Sequence, residues 1–296
     1  MATSPQPAVT PPLGTGINRQ VTLPPCILTT GDLRKLFLLL QQKASEATSK
    51  QLAAMTRPPN QTPAEFEQLK TLIRDSMALV VRLQAQRGAW TGSTMVQPLN
   101  DDQLPDGVTR IDFDSAFWFR SRFNNLSPDN SFVVTIDLAR PTILDMGAQP
   151  ISNASTANVS GTDVTWANGL CDELTHFFKQ SASRRGWLHF QLSYTVLLML
   201  FGFPLSFDIV YYLDRLVRHR SALPEALSVA IYVYVVLVAT FFFRIVFNYA
   251  RWVFPKVELN APRQHIGVRH RVAITTLALM VIGVLIKAIL KFFGIG

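Results

Sequence analysis

"LSVAIYVYVVLVATFFF", residues 227–243, is a run of 17 residues without a charge. Two similar runs lie close to it: "FQLSYTVLLMLFGFPLSF" (190–207) has 18 uncharged residues and "VAITTLALMVIGVLI" (272–286) has 15. A membrane-spanning helix needs about 20 mainly apolar residues, and core helices of soluble proteins seldom lack a polar face over such lengths. The sequence therefore predicts an all-α membrane region at 186–296 with about three transmembrane helices, near 190–212, 227–247 and 272–291.

The third run is the shortest of the three. It reaches spanning length only if Lys287 and Lys291 extend their ammonium groups to the far interface. The alternative for this segment is a helix that lies in the plane of the interface.

Arg244 follows the second run directly. Insertion scales assign about +2.5 to +3.5 kcal/mol to an arginine at mid-bilayer and about −0.3 to −0.6 kcal/mol to each central Leu, Ile, Val or Phe. Eleven such residues between Leu227 and Phe243 supply roughly −5 kcal/mol, so insertion is still favoured. We therefore expect Arg244 to reach the headgroups, and the alternative is a buried arginine that faces another helix. The predicted membrane-interface anchors are Arg244, Tyr249, Arg251, Trp252, Arg269 and Arg271.

The net charge of +8 lies almost wholly in the apolar third of the chain. Residues 190–296 hold 11 Lys/Arg against 4 Asp/Glu, while residues 1–189 hold 17 against 16. Positive charge among apolar runs is typical of contact with lipid headgroups, so the expected partner is a lipid bilayer and not a nucleic acid.

Loop charges also predict the orientation of the spans. One side collects eight positive residues: Lys179, Arg184, Arg185, Arg251, Lys256, Arg263, Arg269 and Arg271. The other side collects five: Arg215, Arg218, Arg220, Lys287 and Lys291. Because positive loops stay on the cytoplasmic side, we expect a multi-pass protein of the cell or inner membrane with a cytoplasmic N-terminal domain.

Residues 1–29 contain six prolines and no acidic residue, which predicts a disordered tail. Residues 30–185 then predict an α+β soluble domain. Apolar spacing indicates a helix from about Thr30 and a second helix from Pro63 that continues to Gly88.

Alternating apolar residues predict strands in "VTRIDFDS" (108–115), "AFWFRSRF" (116–123) and "SFVVTIDL" (131–138). These strands form a mainly antiparallel sheet with one buried face. A last helix, capped near Thr162 or Asp163, completes the domain.

Charged residues on the predicted strands form the candidate functional face, which consists of Asp112, Asp114, Arg120, Arg122 and Asp137. Two carboxylates two residues apart suit acid–base chemistry. The alternative is cross-strand ion pairing of Asp112 and Asp114 with Arg120 and Arg122 on a solvated face. No catalytic residue is assigned.

Cys171 and His176 lie within two turns of the last helix of the soluble domain, the spacing of a Cys–His nucleophile or metal pair. Cys171 belongs to the apolar stripe of that helix, and no second ligand pair occurs in the sequence. We therefore expect no metal and no cofactor.

These features favour a non-enzymatic integral membrane protein whose cytosolic domain binds a protein or small ligand. Binding would be coupled to the spans through assembly or a change in permeability. Three spans are too few for a monomeric pathway, so we expect a homo-oligomer or a protein partner. The alternatives are a membrane-bound enzyme, with a site between the charged face and the 248–271 loop, and a plain membrane anchor for a partner.

Overall fold

The computed structural model describes residues 16–92, 104–105, 107–144, 154–190, 192–218, 224–260, 270–277, 279–280 and 283. The chain divides into two compact units. The first, here called the sheet unit, comprises Met1–Ala139, Asn153–Ala182 and Leu259–Gln264. The second, here called the helical unit, comprises Arg140–Ser152, Ser183–Glu258 and His265–Gly296.

The sheet unit contains a six-stranded antiparallel sheet with strand order β1-β7-β6-β5-β3-β4. These strands are β1 (Ile17–Thr22), β3 (Val80–Ala85), β4 (Gly88–Gly92), β5 (Val108–Asp114), β6 (Asn130–Asp137) and β7 (Thr156–Gly161). The short strand β2 (Cys26–Leu28) lies outside the sheet. Four helices belong to the same unit: α1 (Thr30–Ala54), α2 (Pro63–Ser76), α3 (Phe117–Arg122) and α4 (Val164–Gln180). The predicted α+β class with an antiparallel sheet is confirmed.

Each of the three long helices of the sheet unit, α1, α2 and α4, begins at a side-chain cap. Thr29 and Thr62 form capping boxes with Asp32 and Glu65, and the first two helices begin at Thr30 and Pro63. Asp163 caps α4 by accepting a hydrogen bond from the Trp166 amide.

The two faces of the sheet differ sharply in polarity. Leu83, Ile111 and Ile136 are cross-strand neighbours on one face, and all three are buried. Helices α1 and α4 pack on the sheet at β6, β7 and β1 and contribute large buried side chains. The opposite face carries Arg82, Asp112 and Thr135 in the corresponding register.

Three local predictions for this unit are wrong. Residues 17–28 of the expected disordered tail form strands, because β1 gains six paired residues along β7, while residues 1–15 lie outside the described residues. The second helix ends at Ser76, and residues up to Gly92 form the β3–β4 hairpin. The segment "AFWFRSRF" is not a strand, since Phe117–Arg122 is helical.

The helical unit contains a 3-10 helix (Arg184–His189), α5 (Ser193–Leu197), a five-residue π-helical turn (Leu198–Gly202), α6 (Phe203–Arg218) and α7 (Glu225–Val253). Strand β8 (Val257–Leu259) follows α7 and crosses the unit boundary. Helices α5 and α6 continue one another through the π turn. The Tyr194 ring packs on Phe243 and Phe247, so the two long helical segments contact each other.

Two helical segments of this unit are long and apolar enough to cross a membrane, Ser193–Arg215 and Ala226–Val253. Only 17% and 0% of their most apolar windows are buried, unlike the core helix of a soluble protein. The described residues thus contain two candidate spans and not three. Of the predicted third span, residues 272–277 are helical and most of the remainder lies outside the described residues.

Candidate functional site

A network of arginines and aspartates occupies the polar face of the sheet. Arg82 on β3, Asp112 on β5 and Thr135 on β6 are direct cross-strand neighbours, so the sheet register itself brings them together. Asp114 lies two residues further along β5, on the same face. Both aspartates are buried, with 2% of each residue exposed.

Asp112 is held by three hydrogen bonds from two side chains. Arg110 Nε donates to both carboxylate oxygens, at 2.9 and 3.0 Å, and Thr135 Oγ1 donates to Oδ1 at 2.7 Å. Arg110 and Asp112 are two residues apart on one strand, so both side chains project from the same face. A buried carboxylate with an arginine and a hydroxyl donor is compensated for the loss of its hydration.

Asp114 lies where β5 passes into α3. Its Oδ1 accepts a hydrogen bond from the Ala116 amide at 2.9 Å, and this bond stabilises the turn that ends the strand. Its Oδ2 accepts a hydrogen bond from Arg120 Nη2. Arg82 Nη2 lies 3.8 Å from the same Oδ2. Helix α3 therefore places an arginine beside the end of β5, over the polar face.

The three arginines form an outer layer above the buried aspartates. The side chains of Arg82, Arg110 and Arg120 are 34%, 43% and 30% exposed. Three guanidinium groups against two carboxylates leave one net positive charge. The Arg82 guanidinium also lies 5.0 Å from the centroid of the Phe117 ring, an arrangement that fixes its plane.

Arg82 has hydrogen-bonding capacity that the network does not use. Its Nε is buried, and none of the described residues accepts a hydrogen bond from it. Its only ion pair among those residues is the 3.8 Å contact with Asp114. The Arg82 side chain is nevertheless 34% exposed, so its guanidinium group can donate further hydrogen bonds to an anion, and guanidinium groups suit carboxylate and phosphate oxygens.

The predicted face is only partly assembled. Asp112, Asp114 and Arg120 join the network, but Asp112 pairs with Arg110 and not with Arg120 or Arg122. Arg122 Nη1 instead donates to Ser76 Oγ at 3.1 Å. The aspartates are also buried beneath the arginines, so the prediction of solvated carboxylates is wrong.

Asp137 is engaged in a different contact. Its Oδ1 accepts from the Ala139 amide at 2.9 Å and its Oδ2 accepts from the Ala154 amide at 3.0 Å. These bonds join the end of β6 to the start of the β7 segment, so the geometry gives Asp137 a structural role.

Two members of the network, Arg82 and Arg110, were missing from the prediction. Arg82 lies in a segment predicted to be helical, so its position opposite Asp112 in the sheet could not be predicted. Arg110 could have been predicted from the sequence, because it lies two residues before Asp112 on a correctly predicted strand. Alternation alone places these two side chains on one face.

The Cys171–His176 pair does not form a site. Cys171 is buried, and burial raises the pKa of its thiol, which disfavours the nucleophilic thiolate. His176 Nε2 is hydrogen-bonded to the Gln180 side-chain amide at 2.9 Å. Within the described part of the chain, no group of three His, Cys, Asp or Glu residues could hold a metal ion.

The predicted membrane anchors lie in different environments. Arg251 is buried, with 7% exposed; its Nε donates to the Leu188 carbonyl at 3.1 Å and its guanidinium lies 4.9 Å from the Phe247 ring centroid. Arg251 therefore contacts the Leu188 carbonyl and the Phe247 ring. Arg244 is half-buried on α7.

Tyr249 and Trp252 lie in the last turns of α7. Tyr249 and Trp252 stack with centroids 6.1 Å apart and planes 11° apart. Arg271 forms an ion pair with Glu258. Arg269 lies outside the described residues. Contact of these side chains with lipid stays a prediction.

Comparisons of the chain with protein-family models, with curated proteins and with solved structures found no match.

Proposed function

We propose that this chain is an integral membrane protein whose sheet unit binds an anionic ligand through a carboxylate or phosphate group. The observation that carries the proposal is the outer layer of Arg82, Arg110 and Arg120 over two buried aspartates. Because the aspartates hold Arg110 and Arg120 in fixed positions, the guanidinium groups are preorganised for an anion.

The same geometry favours binding over catalysis. A general base needs a carboxylate that can accept a proton from a substrate at hydrogen-bond distance. Asp112 already accepts three hydrogen bonds, and Asp114 is bonded to Arg120 and to the Ala116 amide. Neither carboxylate offers a substrate an accessible oxygen, which weighs against the membrane-bound enzyme.

The membrane part of the proposal rests on the two apolar helices. Many of their large apolar side chains are exposed, for example Leu200 at 61% and Leu237 at 62%, and hydrocarbon is the solvent that such surfaces prefer. We extend the proposal to a third span at 272–291, and to a cytoplasmic sheet unit on the basis of the loop charges.

Ligand binding is proposed to act on the spans through a short connection. Ala182 pairs with Cys26 in the sheet unit, whereas the Leu188 carbonyl accepts a hydrogen bond from Arg251 in the helical unit. Only residues 183–187 lie between these two fixed points. A segment this short transmits movement better than a long flexible linker does. The resulting change would be in assembly or in permeability.

Anion binding is tested with the full-length protein in nonionic detergent. Small dicarboxylates and phosphate monoesters are titrated, and binding is followed by isothermal titration calorimetry. The variant Arg82→Gln leaves both aspartates with their other partners, and we expect it to weaken binding about tenfold. Arg87→Gln, in the exposed turn of the same hairpin, is the matched control and should bind like the original protein. Equal affinity of Arg82→Gln and the original protein would contradict the proposal.

Membrane insertion and coupling are tested separately. Alkaline washing of isolated membranes should leave the protein in the pellet, and recovery in the supernatant would contradict an integral location. Leakage from liposomes that contain the protein, measured with and without the bound anion, then distinguishes a permeability change from a plain anchor.

A further inference from the structure

A second cluster of arginines and aromatic rings lies in the helical unit, apart from the network on the sheet. We call it the interfacial cluster, and it consists of Arg140, Tyr249, Trp252, His270 and Arg271. Its centre is the stacked Tyr249–Trp252 pair in the last turns of α7.

His270 closes one side of the aromatic pair. Its Nδ1 is hydrogen-bonded to the Tyr249 hydroxyl at 2.9 Å. Its ring meets Trp252 edge-on, with centroids 5.4 Å apart and planes at 76°.

Arg140 lies against the indole ring of Trp252. Its guanidinium carbon is 5.3 Å from the Trp252 ring centroid. The chain around Arg140 is fixed to α7, because Asn248 Nδ2 donates to the Ile143 carbonyl at 3.4 Å. A residue distant in sequence from α7 thus brings a positive charge to the end of this helix.

Arg271 supplies the second positive charge. It pairs with Glu258, which is 9% exposed, through Nη2. Its Nε is buried, and no hydrogen-bond partner exists for it among the described residues. Glu258 and Arg271 lie close enough to Arg140 for their charges to act on its guanidinium group.

The charge balance of the cluster favours an anion. Among the described residues named here, Arg140 and Arg271 bring two positive charges and Glu258 brings one negative charge. The Arg271 side chain is 28% exposed and Arg140 is exposed, so an anionic oxygen can reach both guanidinium groups.

The position of the cluster indicates where the anion comes from. It lies at the end of α7, whose most apolar window has no buried residues. Stacked Tyr and Trp rings at the end of such a helix are typical of the headgroup level of a membrane. The anionic group that a membrane presents at this level is the lipid phosphate.

We infer that the interfacial cluster is a binding site for the phosphate of an anionic phospholipid headgroup. Arg140 and Arg271 bind the phosphate oxygens, and the Tyr249–Trp252 pair packs beside the glycerol region. The inference rests on the membrane part of the proposed function but not on the ligand of the sheet unit. Free phosphate has the same chemistry and is separated from lipid by the experiment.

The experiment uses full-length protein in nonionic detergent. Dioctanoyl phosphatidylglycerol, dioctanoyl phosphatidylcholine and inorganic phosphate are titrated in separate arms, and Kd is measured by microscale thermophoresis. We expect saturable binding of phosphatidylglycerol and at least tenfold weaker binding of phosphatidylcholine. Phosphate competition at equal concentration would assign the site to the free anion, whereas no competition supports the lipid.

Two variants test the assignment of residues. Arg140→Gln should weaken phosphatidylglycerol binding about tenfold. Arg271→Lys keeps the charge beside Glu258, so the fold is retained, but it removes the planar fork of guanidinium donors and should weaken binding by threefold or more. Arg215→Gln, which alters an exposed arginine at the end of the first span, is the matched control and should leave Kd within twofold.

The outcomes separate this inference from the proposed function. Unchanged affinity in Arg140→Gln, or equal affinity for the two lipids, would overturn the lipid site. Arg82→Gln should leave phosphatidylglycerol binding intact, since it changes only the network of the sheet unit. Release of the protein by alkaline washing would contradict the membrane location instead.

Discussion

Helices α4 and α7 differ in the exposure of their large apolar side chains. In α4, Leu170, Leu174 and Phe178 are fully buried against the sheet unit, and polar residues occupy the other face. In α7, Leu237 and Phe242 are more than 60% exposed, and neighbouring faces are just as apolar. The first pattern suits a helix with one face in water and the second a helix surrounded by hydrocarbon.

Charged residues follow the same division. The sheet unit holds Asp112 and Asp114 inside, where arginines replace their hydration. In the helical unit, the ion pair of Glu258 and Arg271 lies beyond the end of α7. This contrast is what we expect if the two units are stabilised in different solvents, and each of the following predictions tests one side of it.

The largest effect is expected for the buried carboxylate of the sheet unit. Asp114→Asn removes the negative charge that Arg120 and Arg82 face, and breaking a buried ion pair costs roughly 3–5 kcal/mol of unfolding free energy. Thermal unfolding in detergent should show a markedly lower Tm. Glu67→Gln breaks an exposed pair with Lys70 and serves as the control, with a change below about 0.5 kcal/mol. Equal Tm values for the two variants would mean that Asp114 is solvated.

A matched pair of leucines tests the two helices directly. Leu174→Ala opens a cavity in the core and should cost about 2–5 kcal/mol. Leu237→Ala removes a side chain that faces outward and should change the unfolding free energy by less than about 0.5 kcal/mol in detergent. The measurement is denaturant unfolding of both variants under one condition. A large loss for Leu237→Ala would show that α7 is packed against protein.

The sequence predicted the class of each unit because the two periodicities differ. Buried residues of α1 and α4 recur at helical spacing, and β5 and β6 alternate, so these elements were found close to their observed bounds. The apolar runs similarly indicated the two long helices of the helical unit.

The errors arise where local patterns fit two structures. Met77, Val80 and Leu83 are three residues apart, which suits a continued helix, yet Leu79 and Val81 are buried as well, as a strand requires. In α3, Phe119 and Phe123 alternate with polar residues but also lie four apart, and their rings pack at 4.6 Å as on a helix. Residues Ile17–Thr22 form strand β1 because they pair with β7, and no local sequence pattern predicts that pairing.

The network on the sheet was partly predictable for the same reason. Asp112 and Asp114 were identified from alternation, and Arg110 follows from the same rule. Arg82 requires the register between β3 and β5, which depends on the whole sheet and on recognising β3 as a strand.

A pH change tests the contact between His189 and α7. Burial lowers the pKa of His189 to about 4, and the nearby charges of Arg251 and Lys256 act in the same direction, although a hydrogen bond to the Phe254 carbonyl opposes them. The unfolded chain takes up this proton near pH 6.5, so the folded state loses stability as the pH falls from 6.5 to 4. The expected loss is about 2 kcal/mol at pH 5.

The measurement is the Tm at pH 7 and pH 5 for the original protein and for His189→Gln. The variant should show a smaller difference between the two pH values, because the titrating group is absent. An identical difference in both proteins would assign the pH dependence to other groups.

The smallest effect distinguishes two helical glycines, Gly169 in α4 and Gly202 in the π turn. A Cβ added at Gly169 meets no atom within 4 Å, so Gly169→Ala should stabilise the sheet unit by about 0.5–1 kcal/mol through helix propensity. A Cβ at Gly202 would lie 2.6 Å from Leu198 Cδ1 and 3.3 Å from Phe243 Cγ. The leucine can rotate away, but the Phe243 ring on α7 must shift, so Gly202→Ala should lose that gain and separate the two helices slightly. Stabilisation of equal size in both variants would show that the close approach of α7 to the π turn contributes nothing to the helical unit.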